Sequence, residues 1–502
     1  MSDSPAAPGA SHRVTIVVPV YGHWPSLRDC VRSLIDHADP AVFDVLLVND
    51  CGPEADAIEA GLRGLVYGRE NFRYERNPHN LGFVGTCNRA AFELDTSGND
   101  LLLLNSDTRV TPGALDELRE VLLLSDEHGV ACPRSNDATI ASIPFHRSHH
   151  GERDAARAHE IFTAVNAELP RFYTAPVAVG FCFLIRRSII DRFGLFDEIF
   201  GKGYNEENDF CLRINGAGYS SVIANRSFVF HVGSTSFGSE QRASLEARNS
   251  AILHARYPYY LSSVVSFIHN DYVALDRFAD LLFPYSDAAP VKILLDTRNS
   301  EVSPTEATAR ITDLLKQLPD ALARVCEISL AVAARSDVQS FSQCDRRVVV
   351  SDEIDELFHV GVTVAPVRDP EQLIALNRHC LHWVTPEAPE TPHRYWQKRA
   401  DAPYMRQLSR LTAAHSERIL SPGFTAAELW QAASDAASAP VDTSALERRD
   451  TQIREIALLW QGARGVSAEA ALHLENIRGS ASYRLARGLA SAASPIRRLL
   501  RR

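Results

Sequence analysis

Two apolar runs that do not alternate with polar residues, each followed at once by acid or amide side chains, constrain this fold more than any other feature of the chain. Val45-Leu46-Leu47-Val48 leads into Asn49-Asp50, and Leu101-Leu102-Leu103-Leu104 leads into Asn105-Ser106-Asp107. Unbroken apolarity over so short a length marks strands buried on both faces, the habit of parallel sheets. Such strands deliver their next residues to the carboxyl edge of the sheet, where open α/β folds bind ligands. Two further clusters continue the series: Asn205-Glu206-Glu207-Asn208-Asp209, and His231 within Phe228-Val229-Phe230-His231-Val232-Gly233. A nucleotide and a hard metal ion suit residues of these types.

The segments between the runs support the same fold class. Strand-like Val14 to Val18 is followed by a helix over 26 to 37, with Ser26 as its N-cap after Pro25 and Val31, Leu34 and Ile35 as its apolar stripe. Strand-like 45 to 48 and a helix over 83 to 94 follow, an alternation that predicts βαβ units and a mainly parallel sheet. Residues 134 to 174 are less regular and read as an excursion on the ligand side of the sheet or a mobile loop. From 239 to about 283 the pattern is helical and aromatic-rich, ending at Pro284 and Pro290. A second α/β pattern opens with Val291-Lys292-Ile293-Leu294-Leu295-Asp296 and recurs at 328–333, 347–350 and 360–364. The expected organisation is a disordered N-terminus over 1–11, an α/β domain over 12–238, a helical extension or linker over 239–290, a Rossmann-like unit over 291–435 and a helical, basic tail over 436–502. About 145 residues is one ordinary domain, so the fourth segment is expected to be an accessory domain.

Composition narrows the function classes. The 502 residues exceed one comfortable core. A formal charge of -11 argues against non-specific nucleic-acid binding, and no nucleic-acid partner is expected. Nine scattered cysteines without a C-x-x-C pair fit free thiols in a reducing cytosol. The first eleven residues lack a signal-peptide layout, and no apolar run approaches the ~20 residues of a membrane span. The expectation is a cytoplasmic protein. Its last stretch carries Arg478, Arg484, Arg487, Arg497, Arg498, Arg501 and Arg502 among leucines. Such a tail can lie on the inner face of the plasma membrane, the alternative being a solvated or subunit-facing helix.

Taken with Thr15-Ile16-Val17-Val18-Pro19-Val20-Tyr21, the ordered motifs resemble the family 2 glycosyltransferases, inverting enzymes of the GT-A fold. The resemblance covers roughly residues 12 to 275. It is closest from Phe196-Asp197-Glu198-Ile199-Phe200 through Tyr204 to Arg213, and it points toward bacterial rhamnosyltransferase-like enzymes of surface-polysaccharide assembly. It implies a UDP-, dTDP- or GDP-sugar as donor and a glycan or lipid-linked acceptor. The later α/β pattern resembles half of a two-lobed GT-B transferase.

Roles follow from the same resemblance. Pro19, Val20 and Tyr21 border the nucleobase, and Asn49 with Asp50 is placed to bond the base or ribose. Asn80-Leu81-Gly82-Phe83 is similar to the family's Asn-x-Gly-Phe turn, where a structural turn and helix cap is the competing reading. Asn105, Ser106 and Asp107 resemble the D-x-D element, which makes Asp107 the expected ligand of Mn²⁺ or Mg²⁺ on the diphosphate. His231 would be a second ligand and favour Mn²⁺, or else a satisfied structural histidine. Glu207 aligns with the family's catalytic base, with Glu206 second and Asp209 third; three carboxyls within four positions repel and raise one pKa. Gly180 and Phe181 face the acceptor. Arg186, Arg187 and Arg213 could touch phosphate or form salt bridges, and Cys182 and Cys211 read as packed thiols. A His146, His149, His150 cluster is a weak metal candidate.

Two other classes compete. A sugar nucleotidyltransferase needs a glycine- and basic-rich triphosphate loop after the first strand, whereas this chain reads Pro19-Val20-Tyr21-Gly22-His23-Trp24-Pro25. A catalytically decayed scaffold of glycan assembly is suggested by the amides at 49 and 105. Metal-dependent donor binding separates it from an enzyme.

Overall fold

The computed structural model describes residues 13–145, 152–232, 239–283, 289–298, 311–324, 326–331, 348–351, 354, 356–367, 370–387, 410–421, 423–455 and 457–458. The expected disordered N-terminus, the His146, His149, His150 cluster and the arginine-rich end lie outside these residues. The chain divides into two compact units, Met1–Asp287 and Ala288–Arg502.

In the first unit the unalternating runs form the centre of a nine-stranded sheet. Strands β1 (Val14–Val20), β2 (Phe43–Asn49), β3 (Phe72–Arg76) and β4 (Asp100–Leu104) are parallel in the order β3-β2-β1-β4. β2 and β4 are buried at nearly every position, as runs without a polar face require. Beyond β4 the sheet becomes mixed. Strand β8 (Cys182–Ile185) is antiparallel to both β4 and β6 (His128–Arg134), whereas β9 (Ser220–His231) runs parallel to β6. The short strands β5 (Thr108–Val110) and β7 (Phe172–Ala175) pair antiparallel with β9. The α/β class with its mixed sheet is as expected.

The helices between these strands are α1 (Trp24–His37), α2 (Ala55–Leu65), α3 (Gly82–Arg89), α4 (Ala114–Leu123), α5 (Glu152–Val165), α6 (Arg187–Phe193) and α7 (Glu206–Asn215). Helix α1 begins two residues ahead of the expected start at Ser26. Pro25 sits in its first turn, where the missing N–H is no loss and the fixed φ suits a helix. His23 takes the cap position with a left-handed φ of 58°, and Ser26 Oγ bonds the His23 ring nitrogen Nδ1 at 2.8 Å instead of capping.

The helical segment after β9 packs on this same unit. Helix α8 (Ser239–Arg256) and helix α9 (Tyr260–Asn270) contribute Leu253 and Phe267 to the main core, and Tyr272 joins them. A buried Arg134–Asp276 pair, two contacts of 2.8 Å, ties β6 to the short helix Ala274–Arg277. The second unit is built on a six-stranded sheet, parallel throughout. Its strands are β10 (Val291–Asp296), β11 (Cys326–Ala331), β12 (Val348–Ser351), β13 (Phe358–Thr363), β14 (Cys380–Pro386) and β15 (Arg418–Leu420), in the order β12-β11-β10-β13-β14-β15. Among the described residues no helix is long and apolar enough to cross a membrane.

Candidate active site

Because β1, β2 and β4 are parallel, the residues that follow them emerge at one edge, and they line a single cleft of about 780 Å³. That size lies within the ~300–1,000 Å³ of small-ligand sites. Pro19, Val20, Tyr21, Asp50, Asn80, Gly82, Asn105, Ser106, Asp107, Gly180, Phe181, Glu206, Glu207 and His231 all line it. Of the expected site residues, Asn49 and Asp209 do not.

Asn49 is spent on the turn after β2. Its Nδ2 donates to the Ala55 carbonyl at 3.0 Å and the Tyr74 hydroxyl at 2.9 Å, and its Oδ1 accepts from the Cys51 amide at 3.1 Å. With its side chain so engaged and 1% exposed, it is not a donor contact. Asp50 stays in the cleft but also holds the next turn. Its carboxylate accepts from Asn77 Nδ2 and the Leu81 amide at 2.7 Å each, and from the Gly82 amide at 2.9 Å. These bonds secure the start of α3, and one of about four acceptor positions remains free for a ligand. Gly82 has a φ of +73°, and a Cβ there would lie 3.2 Å from Lys202 Cγ, so that turn needs glycine.

Asp107 and His231 face each other across the β5–β9 ladder, in which Thr108 pairs with His231. The gap from Asp107 Oδ1 to His231 Nε2 is 3.5 Å. His231 Nδ1 donates to the Asp137 carbonyl at 2.7 Å, Phe181 stacks on the ring with centroids 5.0 Å apart, and Asn136 brackets the His231 backbone. A carbonyl on Nδ1 fixes the ring with Nε2 turned to Asp107, where it donates to the carboxylate when protonated and offers a lone pair to a cation when neutral, and such a partner on the other nitrogen is what orients metal-ligating histidines. Burial pushes the Asp107 carboxyl up, but the hydrogen bond and charge of His231, with smaller help from His23, outweigh it and hold the carboxyl below its usual range. Burial pushes the His231 imidazole down, and Asp107 and Asp137 outweigh that and raise it.

The residues present fit a divalent ion that shares its coordination with a ligand. Among the described residues no three His, Cys, Asp or Glu side chains form a metal cluster on their own. Mg²⁺ and related ions are commonly held by one or two carboxylates together with substrate phosphates and water. The lining also carries six carboxylates (Asp50, Asp107, Asp137, Glu206, Glu207 and Glu246) against Lys202 as its one lysine or arginine among the described residues. A diphosphate entering so acidic a cleft needs a cation to offset repulsion.

The acidic cluster lines the same cleft. Tyr204 and Asn205, with φ of 74° and 72°, turn the chain into α7, so that Glu206 and Glu207 stand in its first turn. Glu207 is half-buried and packs on Gly180, where a Cβ would meet Glu207 Cγ at 3.0 Å. A Gly180→Ala protein is therefore expected to fold with a nearly unchanged Tm and, were Glu207 to act as the base, to turn over about 10-fold more slowly, since small misplacements of a reacting group are costly. Unchanged kcat would show that Glu207 tolerates displacement. Burial raises the Glu207 carboxyl, against opposing bonds from backbone amides at 205, 207 and 208.

Glu206 is buried, its Oε2 has no hydrogen-bond partner, and burial followed by the charge of Glu207 pushes its carboxyl well above the normal range. A carboxyl whose pKa rises on folding contributes its full stability below its unfolded value, about 4.3, and loses it as pH climbs through the folded value. Glu206→Gln is thus expected to gain Tm relative to wild type more at pH 8 than at pH 5. An equal difference at both pH values would contradict the raised carboxyl.

Asp209 turns away from the cleft. Arg256 Nη1 bonds it at 2.7 Å and Arg213 stands 3.7 Å away; this paired carboxylate is not a base. The other arginines named from sequence are structural as well. Arg186 bonds the carbonyls of Leu122, Ser125 and His128 at 2.7 Å each, and Arg187 pairs with Asp95 and Asp191. Arg213 bonds the carbonyls of Phe193 and Leu195. Cys182 and Cys211 are buried free thiols pushed up by desolvation, Cys211 to about 12. The lining also includes His23, Lys202, Asp137 and Glu246, which sequence reasoning did not select. His23 follows the β1 edge by three residues and was the one within reach of a sequence argument.

One cleft at the edge of an α/β sheet thus holds an acid–histidine pair and two carboxyls. Comparison with known proteins adds a family: residues 15–194 match the model of the family described as Glycosyl transferase family 2. Residues 15–194 of the first unit thus resemble a glycosyltransferase domain of that family, and the mixed α/β sheet is consistent with the GT-A type. The match ends before α7, His231 and α8. The chain is also 26% identical over 248 residues to a protein of Sinorhizobium fredii (strain NBRC 101917 / NGR234) named Uncharacterized protein y4gI, covering 47% of this chain and 26% of that relative. It thus spans about a quarter of that relative's length. Among solved structures, a GalNAc-T7 with UDP, GalNAc and Mn²⁺ aligns with 14% identity and a TM-score of 0.39, covering 48% of each chain. The mannosyltransferase PcManGT from Pyrobaculum calidifontis, in complex with GDP-Man and Mn²⁺, aligns with 13% identity and a TM-score of 0.35, covering 64% of this chain and 86% of that one.

Proposed function

We propose that the first unit is a metal-dependent, inverting glycosyltransferase that moves a sugar from a nucleotide-diphosphate sugar to a glycan or lipid-linked acceptor, in the setting of bacterial surface-polysaccharide synthesis. The observation that carries this reading is the meeting of the Asp107–His231 pair and the Glu207 carboxylate in one diphosphate-sized cleft. Asp107 and His231 would hold Mn²⁺ or Mg²⁺, which when bound supplies positive charge to the leaving diphosphate. Tyr21 and Asp50 border the nucleoside, and Lys202 is a side chain available to add charge beside the phosphates. Glu207 accepts the proton of the acceptor hydroxyl as that oxygen forms its bond to the anomeric carbon. The bond from that carbon to the diphosphate oxygen breaks with its electron pair leaving on the diphosphate. One direct displacement inverts the configuration, and no sugar becomes attached to the protein. The second unit is proposed as a non-catalytic accessory domain of Rossmann-like build, and its strand order supports the Rossmann-like part of that reading.

Incubating the full chain with UDP-, dTDP- and GDP-sugars and Mn²⁺, and following donor loss by mass spectrometry, tests the proposal. Metal-dependent transfer or slow hydrolysis of at least one donor is expected. A chain that consumed none and bound none would be the decayed scaffold instead.

A further inference from the structure

Helix α8 holds the acidic segment on both sides of Glu206 and Glu207, and it lies outside the residues matched by the family. Asn249, 0% exposed, directs its Nδ2 at three backbone carbonyls: Phe200 at 2.9 Å, Gly203 at 2.7 Å and Tyr204 at 3.0 Å. Two amide hydrogens are shared over three acceptors. The reverse orientation would set its oxygen against three carbonyl oxygens, so the network fixes the amide. Arg248 Nη1 donates to the remaining Oδ1 at 2.8 Å. One residue on, Ser250 Oγ accepts from Asn205 Nδ2 at 3.2 Å. Two turns later Arg256 bonds Asp209 at 2.7 Å and Asp197 at 2.8 Å. Asn249, Leu253 and Arg256 recur at helical spacing, the first two buried and the third at the exposed end of the same side.

The segment so held needs holding. Gly201, Gly203, Tyr204 and Asn205 have φ of 63°, 126°, 74° and 72°, a left-handed region that tyrosine in particular disfavours. Such a conformation persists only where its surroundings over-determine it, and here the following residues are the two cleft carboxyls.

We infer that Asn249 is a positioning residue for the base: by binding the carbonyls of 200, 203 and 204 it keeps the left-handed turn that aims Glu207 into the cleft. The inference rests on the proposed transferase reading for its kinetic consequence, but the restraint itself can be measured without it. Asn249→Asp keeps the volume and replaces the donor by an oxygen facing three carbonyls, while Asn249→Ala removes the side chain. In the full chain, hydrogen exchange should quicken at least 10-fold at the amides of 200–208 in both variants and stay unchanged in β1, β2 and β4. With the active donor, kcat should fall about 10²-fold while Mn²⁺-dependent donor affinity moves less than threefold. The acid limb of the kcat profile should also shift down, because a loosened Glu207 is more hydrated. Unchanged exchange at 200–208 overturns the inference, as does a loss of donor affinity and Tm that matches the loss of kcat. Should Asn249→Ala fail to fold, the isosteric aspartate variant distinguishes the same outcomes. A wild-type chain inert toward every donor overturns the transferase reading instead, and the exchange result still decides whether Asn249 holds the turn.

Discussion

Glu207→Gln is expected to lower kcat by about 10³-fold, within the 10²–10⁴ that a positioned base contributes, while leaving Mn²⁺-dependent donor binding intact. Glutamine has the same shape and can pack on Gly180 as the glutamate does, so the cleft keeps its form and loses only its proton acceptor. The pH dependence carries the sharper signature. Burial raises the Glu207 carboxyl above its ordinary 4.5, and a base works only when ionised. Wild-type kcat should therefore climb along an acid limb lying above pH 4.5, and that limb should vanish in Glu207→Gln. If the limb survives there and disappears in Glu206→Gln, the base is Glu206.

Asp107→Asn is expected to act on a different step. It keeps the side-chain volume but removes the charge that faces His231 at 3.5 Å, and it leaves His231 as the remaining ligand of the pair. A loss of about 10²–10³-fold in kcat/KM, the range seen when charge stabilisation of a leaving group is removed, should come with donor binding that no longer responds to Mn²⁺ in calorimetry. The two variants should thus separate: one binds without turning over, and the other binds poorly even at saturating Mn²⁺. An Asp107→Asn protein with wild-type Mn²⁺ dependence would exclude this carboxylate from the metal site.

The strands that build the cleft were legible because unalternating apolar runs leave few alternatives: 45–48 and 101–104 lie within β2 and β4, and the acids behind them reach the edge where parallel strands end. The helical stretch from 239 to 283 and the strand-like runs at 291–296, 328–333, 347–350 and 360–364 were also readable from periodicity and coincide with or overlap observed elements. What could not be read were the partners of the polar residues. Asn49 and Asp209 look like site residues in sequence, one a donor contact and the other a candidate base, because amides and carboxylates bond protein and substrate alike. Tyr74 lies 25 positions from Asn49 and Arg256 lies 47 from Asp209, so their engagement exists only once the chain is folded. The arginines at 186, 187 and 213 were open to two readings for the same reason, and backbone carbonyls and acids of the first unit take them. Asn249 carried no sequence signal, since its function is to satisfy carbonyls that a different turn would not have exposed.

The proposed chemistry depends on one meeting of side chains and diphosphate, and a paramagnetic probe reads it directly. Electron–nuclear double resonance on the full chain carrying ¹⁵N-labelled histidine, with Mn²⁺ and the nucleoside diphosphate of the best donor, should show ¹⁵N and ³¹P couplings on the same ion. The nitrogen coupling should disappear in His231→Ala. Mn²⁺ that couples to phosphorus but to no histidine nitrogen, or that binds without the nucleotide in its shell, would contradict the convergence of Asp107, His231 and the diphosphate.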